Sequence, residues 1–457
     1  MMLMSKKGYN ILVSMRNIHT AIVKSPKFHM LFLILILLFT AVYLSIAISF
    51  LADTVAIRNS GRIIIISPLH VDGRYIKDSF GNIIILKGIN KVEFADDPDG
   101  IWMGDTMWKD ANVKAELDAM KTWGINAIRC HISVELWKYD IGPNTNTTEH
   151  PILRSGVDSW DDVCSISTRE AIKRLLSFAA ERGMYVILDG YSVRCYWTRA
   201  EQDQLPFPPY QQSPNASEII GSVDDFVEWW RSIAVELKDY PNVIFELWNE
   251  PNRNNPPTAF NEWLNASQLC INAIREAGAI QPIIFQWQMG CYCNVYEDEN
   301  GNPFARFGDH LHGWLETAIS NLTDPLGNLI FSTHIYRAYG GLGIYIEQQT
   351  IEKWGSNYPY NYTHIKVALE HMGIKWAGET LNVPLIIGEI GADMDWSGDE
   401  FQHELTAWNN TLAILNELGI HYTAFWWRES GSFRLHNGPP DFTPNEAGMV
   451  LIGAMKS

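Results

Sequence analysis

The stretch Ile244–Pro251 reads IFELWNEP, an apolar run that ends in a polar Asn-Glu pair and a proline. Short apolar runs bounded by turn residues are typical of strands that are buried on both faces of a parallel sheet. A second run, Pro384–Gly391 (PLIIGEIG), also has a glutamate near its C-terminal end. We therefore predict that Glu250 and Glu389 lie at the ends of two buried parallel strands.

Apolar runs of this kind occur eight times after residue 80, and helical stretches separate them. The runs are Ile83–Asn90, Ala127–His131, Tyr185–Tyr191, Val243–Glu250, Ile283–Gln286, Leu329–Tyr336, Leu385–Glu389 and Tyr422–Trp427. Segments with helical periodicity are Ala111–Trp123, Thr168–Arg182, Val223–Lys238, Ala259–Ala277 and Glu400–Leu418. This alternation predicts an α/β fold, a (β/α)8 TIM barrel with enlarged loops. A small β-hairpin around Val71–Arg74 is expected before the first barrel strand.

The apolar runs turn polar at their C-terminal ends, which meet at one mouth in such a barrel. Two glutamates at that mouth suit cleavage of a glycosidic bond. One carboxyl group protonates the leaving oxygen, and the other attacks or stabilises the sugar cation. Glu250 and Glu389 are therefore predicted to be the catalytic pair of a glycosidase.

The order of the motifs resembles family five glycoside hydrolases, the cellulase family of retaining barrel enzymes. The resemblance covers roughly residues 71–455. It rests on Asp72-Gly73-Arg74, Leu86–Asn90 (LKGIN), Asn126–Arg129 (NAIR), Trp248–Pro251 (WNEP), His334-Ile335-Tyr336 and Gly388-Glu389. The resemblance implies that Glu250 is the acid/base, that Glu389 is the nucleophile, and that the anomeric configuration is retained. This mechanism requires no metal or organic cofactor.

Other residues at the strand ends are predicted to bind substrate or to support the two carboxylates. Arg129 and Tyr336 are expected to donate hydrogen bonds that keep Glu389 ionised. Asn249 is expected to bond the sugar 2-OH, although it could simply cap its strand. His334 lies two positions from Tyr336 and so shares its face, where it would bind sugar hydroxyls or tune the acid/base; a core histidine is the alternative.

Aromatic residues are predicted to line the cleft. Only one of the consecutive pair Trp426 and Trp427 can face the mouth, and the family pattern favours Trp426 as a stacking platform. Tyr191 stands where the family usually has a histidine, so it is predicted to bind sugar as a neutral hydrogen-bond donor. Part of the tryptophan content is expected in loops at the mouth: Trp102, Trp108, Trp137, Trp197, Trp287, Trp314 and Trp396.

The N-terminus predicts a membrane anchor. Residues 30–51 are uncharged and apolar, and 22 residues suffice to cross a hydrocarbon core of about 30 Å. Basic residues precede this run and no acid occurs before Asp53, which predicts a cytoplasmic segment at 1–29 and an extracellular domain at 53–457. Cleavage after the apolar run, which would release a secreted protein, is the alternative.

Composition limits the class of substrate. The formal net charge of −17 argues against nucleic acid or other anionic polymers, so a neutral polysaccharide is the expected partner. Six cysteines suit an oxidising exterior, where up to three disulfides could form.

Four functions are compatible with the sequence. The preferred function is a retaining endo-acting β-glycanase that cleaves β-1,4-linked glucan, either cellulose-like or mixed-linkage. A β-mannanase or a surface-glycan transglycosidase would use the same catalytic residues. A catalytically inactive glycan-binding surface protein would keep the barrel without turnover.

Overall fold

A computed structural model describes residues 55–59, 62–94, 110–153, 155–195, 205, 217–251, 259–287, 293–297, 300–301, 303–307, 311–336 and 361–456. Its strands are β1 (Val55–Asn59), β2 (Arg62–Ile66), β3 (His70–Asp72), β4 (Tyr75–Lys77), β5 (Lys87–Phe94), β6 (Ala127–Ser133), β7 (Tyr185–Ser192), β8 (Val243–Glu246), β9 (Ile283–Gln286), β10 (Cys293–Glu297), β11 (Pro303–Phe307), β12 (Leu329–Tyr336), β13 (Leu385–Gly391) and β14 (His421–Ala424). Its helices are α1 (Asp110–Trp123), α2 (Val134–Lys138), α3 (Thr168–Ala180), α4 (Val223–Leu237), α5 (Ala259–Glu276), α6 (Leu311–Asn321), α7 (Tyr362–His371), α8 (Ile374–Glu379), α9 (Gly398–Leu418) and α10 (Glu446–Met455).

Eight parallel strands close into a barrel, which confirms the predicted fold. β5, β6, β7, β8, β9, β12, β13 and β14 pair in chain order, and β14 pairs with β5 to complete the circle. Helices pack around this barrel, and their apolar faces bury a continuous core against the outer side of the strands. The remaining strands form antiparallel pairs, β1 with β2, β3 with β4 and β10 with β11.

The N-terminal end of the barrel is filled by apolar side chains. Buried isoleucines from five successive strands form one cluster: Ile187, Ile244, Ile284, Ile330 and Ile386. Ile76 of the predicted hairpin, now observed as β3 and β4, packs into the same cluster. Apolar side chains fill this end of the barrel, and the polar side chains lie at the opposite mouth, where the strands end.

Six predicted strands differ from the observed ones in their bounds, and the first, fourth and eighth differ most. The first begins at Lys87, because Ile83 pairs with Lys77 and so extends the hairpin instead. The fourth ends at Glu246, and Glu250 follows it with a left-handed backbone at φ 49°. The eighth ends at Ala424. The chain thus leaves the fourth and eighth strands before the residues predicted to act there.

Two tryptophans predicted at the mouth are core residues instead. Trp137 and Trp314 are 0% and 2% exposed. Each lies on a helix that packs against the barrel, where a large ring stabilises more by burial than in a loop. Trp287 is also buried, whereas Trp396 is 43% exposed; the other three, Trp102, Trp108 and Trp197, lie outside the described residues.

The predicted membrane anchor also lies outside the described residues, as does everything before Val55. Among the residues that the structure describes, no helix combines the length and the apolar character needed to cross a membrane. Cys270 is buried on α5 and forms no disulfide, so the six cysteines give two bridges at most.

Candidate active site

The two predicted catalytic glutamates meet at the mouth of the barrel. Glu389 lies on β13, and Glu250 lies just beyond the end of β8. Both side chains are buried, with 6% and 8% exposure. One carboxylate oxygen of each lies within 4.8 Å of the other and of a ring nitrogen of His334. The barrel therefore brings together two carboxyl groups that are 139 positions apart in the chain.

Glu389 receives a hydrogen bond on each oxygen. Nη1 of Arg129 donates to Oε1 at 2.9 Å, and the hydroxyl of Tyr336 donates to Oε2 at 2.7 Å. Burial raises the pKa of Glu389, while these two donors favour its charged form. Because an ionised carboxylate accepts such bonds and a nucleophile must be ionised, this environment suits the predicted role.

Glu250 contacts a neutral histidine. Nδ1 of His334 lies 2.8 Å from Oε1 of Glu250. Burial lowers the pKa of His334 to about 4, so the imidazole is uncharged at neutral pH. The backbone N–H of Glu250 donates to Oε1 of Gln286 at 2.9 Å, which helps to hold its left-handed backbone. An uncharged partner does not stabilise a carboxylate as a cation would, so this contact leaves the side chain able to hold a proton.

Arg129 connects most of the polar residues of the site. It is fully buried, and its guanidinium reaches five side chains besides His131. These are Glu246 on Nε (2.6 Å), Asn90 and Glu389 on Nη1 (3.0 and 2.9 Å), and Asn249 and Asp189 on Nη2 (3.0 and 3.0 Å). All five N–H groups of the guanidinium thus have an oxygen within hydrogen-bonding distance, which fixes its orientation toward Glu389.

The other predicted binding residues lie around this centre. Asn249 accepts from Arg129 through Oδ1, so a bond to a sugar hydroxyl would come from its Nδ2. Tyr191 is half-buried, with its ring centroid 4.4 Å from that of His131. Trp426 is half-buried and stacks on Phe425, while Trp427 is buried and donates to Glu116. Of the tryptophan pair, therefore, Trp426 is the one that reaches solvent.

Sequence reasoning missed two residues of this site. His131 lies next to Arg129 and 3.9 Å from Glu389, and Glu246 bonds the guanidinium directly. Both carried a signal in the sequence. His131 is two positions from Arg129 and so shares its face of the strand, and Glu246 is a lone charge within an apolar strand.

Side chains of the site already occupy both oxygens of Glu389 and one oxygen of Glu250. Nδ1 of His334 bonds Glu250, and both oxygens of Glu389 accept from Arg129 and Tyr336. The arrangement can therefore move a proton at Glu250 while it holds a charged carboxylate at Glu389. We assign no metal to these three residues.

Comparison with known proteins identifies the family of this chain. The model of the family described as cellulase (glycosyl hydrolase family 5) matches residues 78–431, which include every barrel strand and both glutamates. The chain belongs to glycosyl hydrolase family 5.

Curated relatives of this family 5 chain include fungal and bacterial proteins. Endo-β-1,4-glucanase B of Emericella nidulans is 31% identical over 128 residues, which cover 28% of this chain and 33% of that protein. Endoglucanase 3 of Fibrobacter succinogenes is 25% identical over 280 residues, or 56% of this chain and 40% of that protein. The matches thus span about a third to two fifths of the length of these two relatives.

Solved structures share the fold of this family 5 chain at low identity. A hyperthermophilic endocellulase from the archaeon Pyrococcus horikoshii has a TM-score of 0.57 and 19% identity, with 85% of this chain and 98% of that chain covered. A mannanase catalytic domain from Streptomyces has a TM-score of 0.50 and 18% identity, with 88% and 96% covered. These similarities show the barrel fold alone.

Proposed function

We propose that this protein is a retaining endo-β-1,4-glucanase. The observation that carries the proposal is the pair of buried carboxyl groups whose nearest oxygens lie within 4.8 Å, each with a different kind of partner. In retaining glycosidases the two carboxyl groups are about 5–5.5 Å apart, which leaves no room for a water molecule between the second carboxylate and the anomeric carbon. A short separation therefore supports direct attack by one carboxylate.

The partners of the two glutamates support the assignment of roles. Glu389 would attack the anomeric carbon, because Arg129 and Tyr336 hold it charged and oriented. Glu250 would protonate the leaving oxygen and then deprotonate the incoming water, because its partner His334 carries no charge. Each step transfers one proton through the same carboxyl group, so the enzyme returns to its starting state after hydrolysis.

The proposed substrate is a β-1,4-linked glucan. Relatives carry the names endo-β-1,4-glucanase and endoglucanase, and one structure of the Pyrococcus horikoshii endocellulase is a complex with cellotetraose. The acidic composition of this chain also favours a neutral polymer. A β-mannanase is the second candidate, since the Streptomyces mannanase domain shares this barrel.

The proposed location is the outer face of a membrane, with the catalytic domain held by residues 30–51. The uncharged run and the basic residues before it support this placement. Protease treatment of intact cells that express the full chain should digest the catalytic domain. Protection of that domain until the cells are lysed would contradict the proposal.

Product analysis tests the activity. We expect the wild type to release oligosaccharides from barley β-glucan or carboxymethyl-cellulose, and less from mannan. Glu250→Gln should lose most of this release, whereas the control Glu276→Gln, an exposed glutamate on α5, should keep it. Release of glucan fragments by Glu250→Gln at the wild-type rate would refute the role of Glu250.

A second variant tests retention. Glu389→Ala should lack turnover and regain it with azide, which enters the space of the missing carboxylate and gives a glycosyl azide of inverted configuration. The anomeric product of the wild type, read by NMR during hydrolysis, should keep the β configuration. An α product from the wild type would refute the double displacement.

A further inference from the structure

Three fully buried polar side chains contact Arg129, and the proposed hydrolysis gives none of them a bond to the sugar or a proton to transfer. They are His131 on β6, Asp189 on β7 and Glu246 on β8, each 0% exposed. Groups of this kind are costly to bury unless hydrogen bonds or opposite charges compensate them. Their protonation states follow from the contacts that they make.

The tautomer of His131 is set by Asn90. The amide nitrogen of Asn90 donates to the carbonyls of Gly388 and Thr423, at 3.0 and 3.1 Å. Its Oδ1 is therefore the atom that lies 2.9 Å from Nε2 of His131, and it can only accept. Nη1 of Arg129, which can only donate, lies 3.1 Å from the same ring nitrogen, but its two N–H groups have closer acceptors in Asn90 and Glu389, at 3.0 and 2.9 Å. The shorter contact with Asn90 therefore assigns the ring proton to Nε2, and Nδ1 of a neutral His131 presents a lone pair.

That lone pair faces Asp189. Oδ2 of Asp189 lies 3.7 Å from Nδ1, and within the described residues neither Nδ1 nor either Asp189 oxygen has an aligned hydrogen bond. A carboxylate would repel the lone pair, whereas a carboxylic acid would donate to it after an approach of about 0.7–1 Å. Burial also raises the pKa of Asp189 well above its usual range.

The balance of buried charge gives a second reason to place a proton on Asp189. Arg129 is the one cation within 4 Å of Asp189, Glu246 and Glu389 among the described residues, so three carboxylates would leave a buried net negative charge. The titratable groups that face Arg129 and Asp189 from the surrounding strands are His131, Glu246, Glu250, His334, Tyr336 and Glu389. Neither histidine supplies charge, because burial lowers the pKa of both. A proton on Asp189 removes one of the negative charges.

We propose that Asp189 is a protonated acid that donates to Nδ1 of His131, so that Arg129 neutralises only Glu246 and Glu389. In this arrangement Asp189 and His131 are positioning residues: Asp189 contacts Nη2 of the guanidinium, and His131 donates to Asn90, which accepts from Nη1. Neither competes for the charge of Arg129. Glu246 is the second charged partner of Arg129 and accepts a hydrogen bond from its Nε. The consequence for catalysis rests on the proposed function, whereas the protonation state itself can be measured without any turnover.

The kinetic test compares two substitutions that each replace a carboxyl group by an amide. Asparagine mimics a neutral acid, so Asp189→Asn should move the acid limb of kcat/KM by less than about 0.3 pH unit. Glu246→Gln removes a negative charge, so that Glu389 becomes the one charged partner of Arg129 among these three carboxyl groups. The acid limb should therefore move to lower pH by about one unit. Asp324→Asn is the control, because it alters a buried arginine pair outside the site. If the acid limb of Asp189→Asn moved to lower pH by as much as that of Glu246→Gln, the proposal would be overturned.

NMR of the wild type gives an independent readout. With 15N-labelled histidine, and with His131→Gln to assign the signal, His131 should show a protonated Nε2 and a hydrogen-bonded, unprotonated Nδ1 from pH 5 to pH 8, a range that brackets the ordinary pKa of about 6.5. The two nitrogens are told apart by their couplings to the carbon-bound ring protons. A protonated Nδ1, alone or together with a protonated Nε2, would refute the protonated Asp189, as would titration within this range. Absence of turnover in the wild type would instead count against the proposed function, and the NMR result would still decide the protonation state.

Discussion

Removal of the Tyr336 hydroxyl should raise the pKa of the nucleophile. In Tyr336→Phe, Oε2 of Glu389 loses a 2.7 Å hydrogen bond from a donor in a fully buried environment. Hydrogen bonds to charged groups contribute about 1.5–3 kcal/mol, and 1.36 kcal/mol corresponds to one pKa unit. Arg129 still donates to the other oxygen at 2.9 Å, so we expect the lower end of this range, a rise of about one unit.

The sign of the effect follows from the role of the group. Because the nucleophile must be ionised, a higher pKa moves the acid limb of kcat/KM to higher pH. At a pH well below that limb, kcat/KM should therefore fall about tenfold beyond any loss on the plateau. The assay is the pH profile of kcat/KM on an aryl cellobioside whose leaving group is released in a measurable form.

Tyr185→Phe provides a matched control. Its hydroxyl donates to the carbonyl of Ser67 at 3.1 Å, at the plugged end of the same barrel. This substitution should leave the acid limb in place, although it removes the same atom from a buried tyrosine. A shift for Tyr336→Phe of less than about 0.3 pH unit, or an equal shift for both variants, would refute the assignment of Tyr336 as a donor to an ionised Glu389.

Three other variants have expected outcomes. Gly388→Ala would place its Cβ 2.8 Å from Oγ of Ser332 and 2.9 Å from Nε2 of His334, so it should cost about 1–3 kcal/mol in thermal unfolding and lower kcat/KM. Gly453→Ala lies in α10 with open space around it, so it should leave stability unchanged or raise it by up to about 1 kcal/mol. Equal stability of both variants would contradict the clash. The net pKa of Asp324 lies below its usual value, because the hydrogen bonds and charge of Arg275 lower the pKa by more than burial raises it. This ion pair therefore stabilises the fold above about pH 4, and the stabilisation is lost as the pH falls through the lowered pKa. Asp324→Asn should therefore cost about 3 kcal/mol at pH 7 in urea unfolding and progressively less below pH 4, and a cost that is constant with pH would show that charge is not involved. Trp426→Ala should raise KM for soluble glucan about tenfold and change kcat less, and an unchanged KM would remove Trp426 from the binding surface.

The sequence by itself determined the barrel and its catalytic pair. Apolar runs and helical periodicity are local properties of the chain, so all eight strands were predicted, and the fifth and sixth had their observed bounds. Glu250 and Glu389 were found because a carboxylate at the end of an apolar strand stands out against its neighbours. The positions at which β8 and β14 end were not found, because contacts with other strands decide where the chain turns.

Only the tertiary structure decided what surrounds the pair. His131, Asp189 and Glu246 come from three different strands, and they converge on Arg129 because closure of the barrel sets the stagger between those strands. The same closure turned Trp137 and Trp314 into core residues, although their neighbours in sequence suggested loops. A residue's type and spacing predict which face it occupies, but its partners and its protonation state depend on atoms that distant parts of the chain bring within a few ångströms.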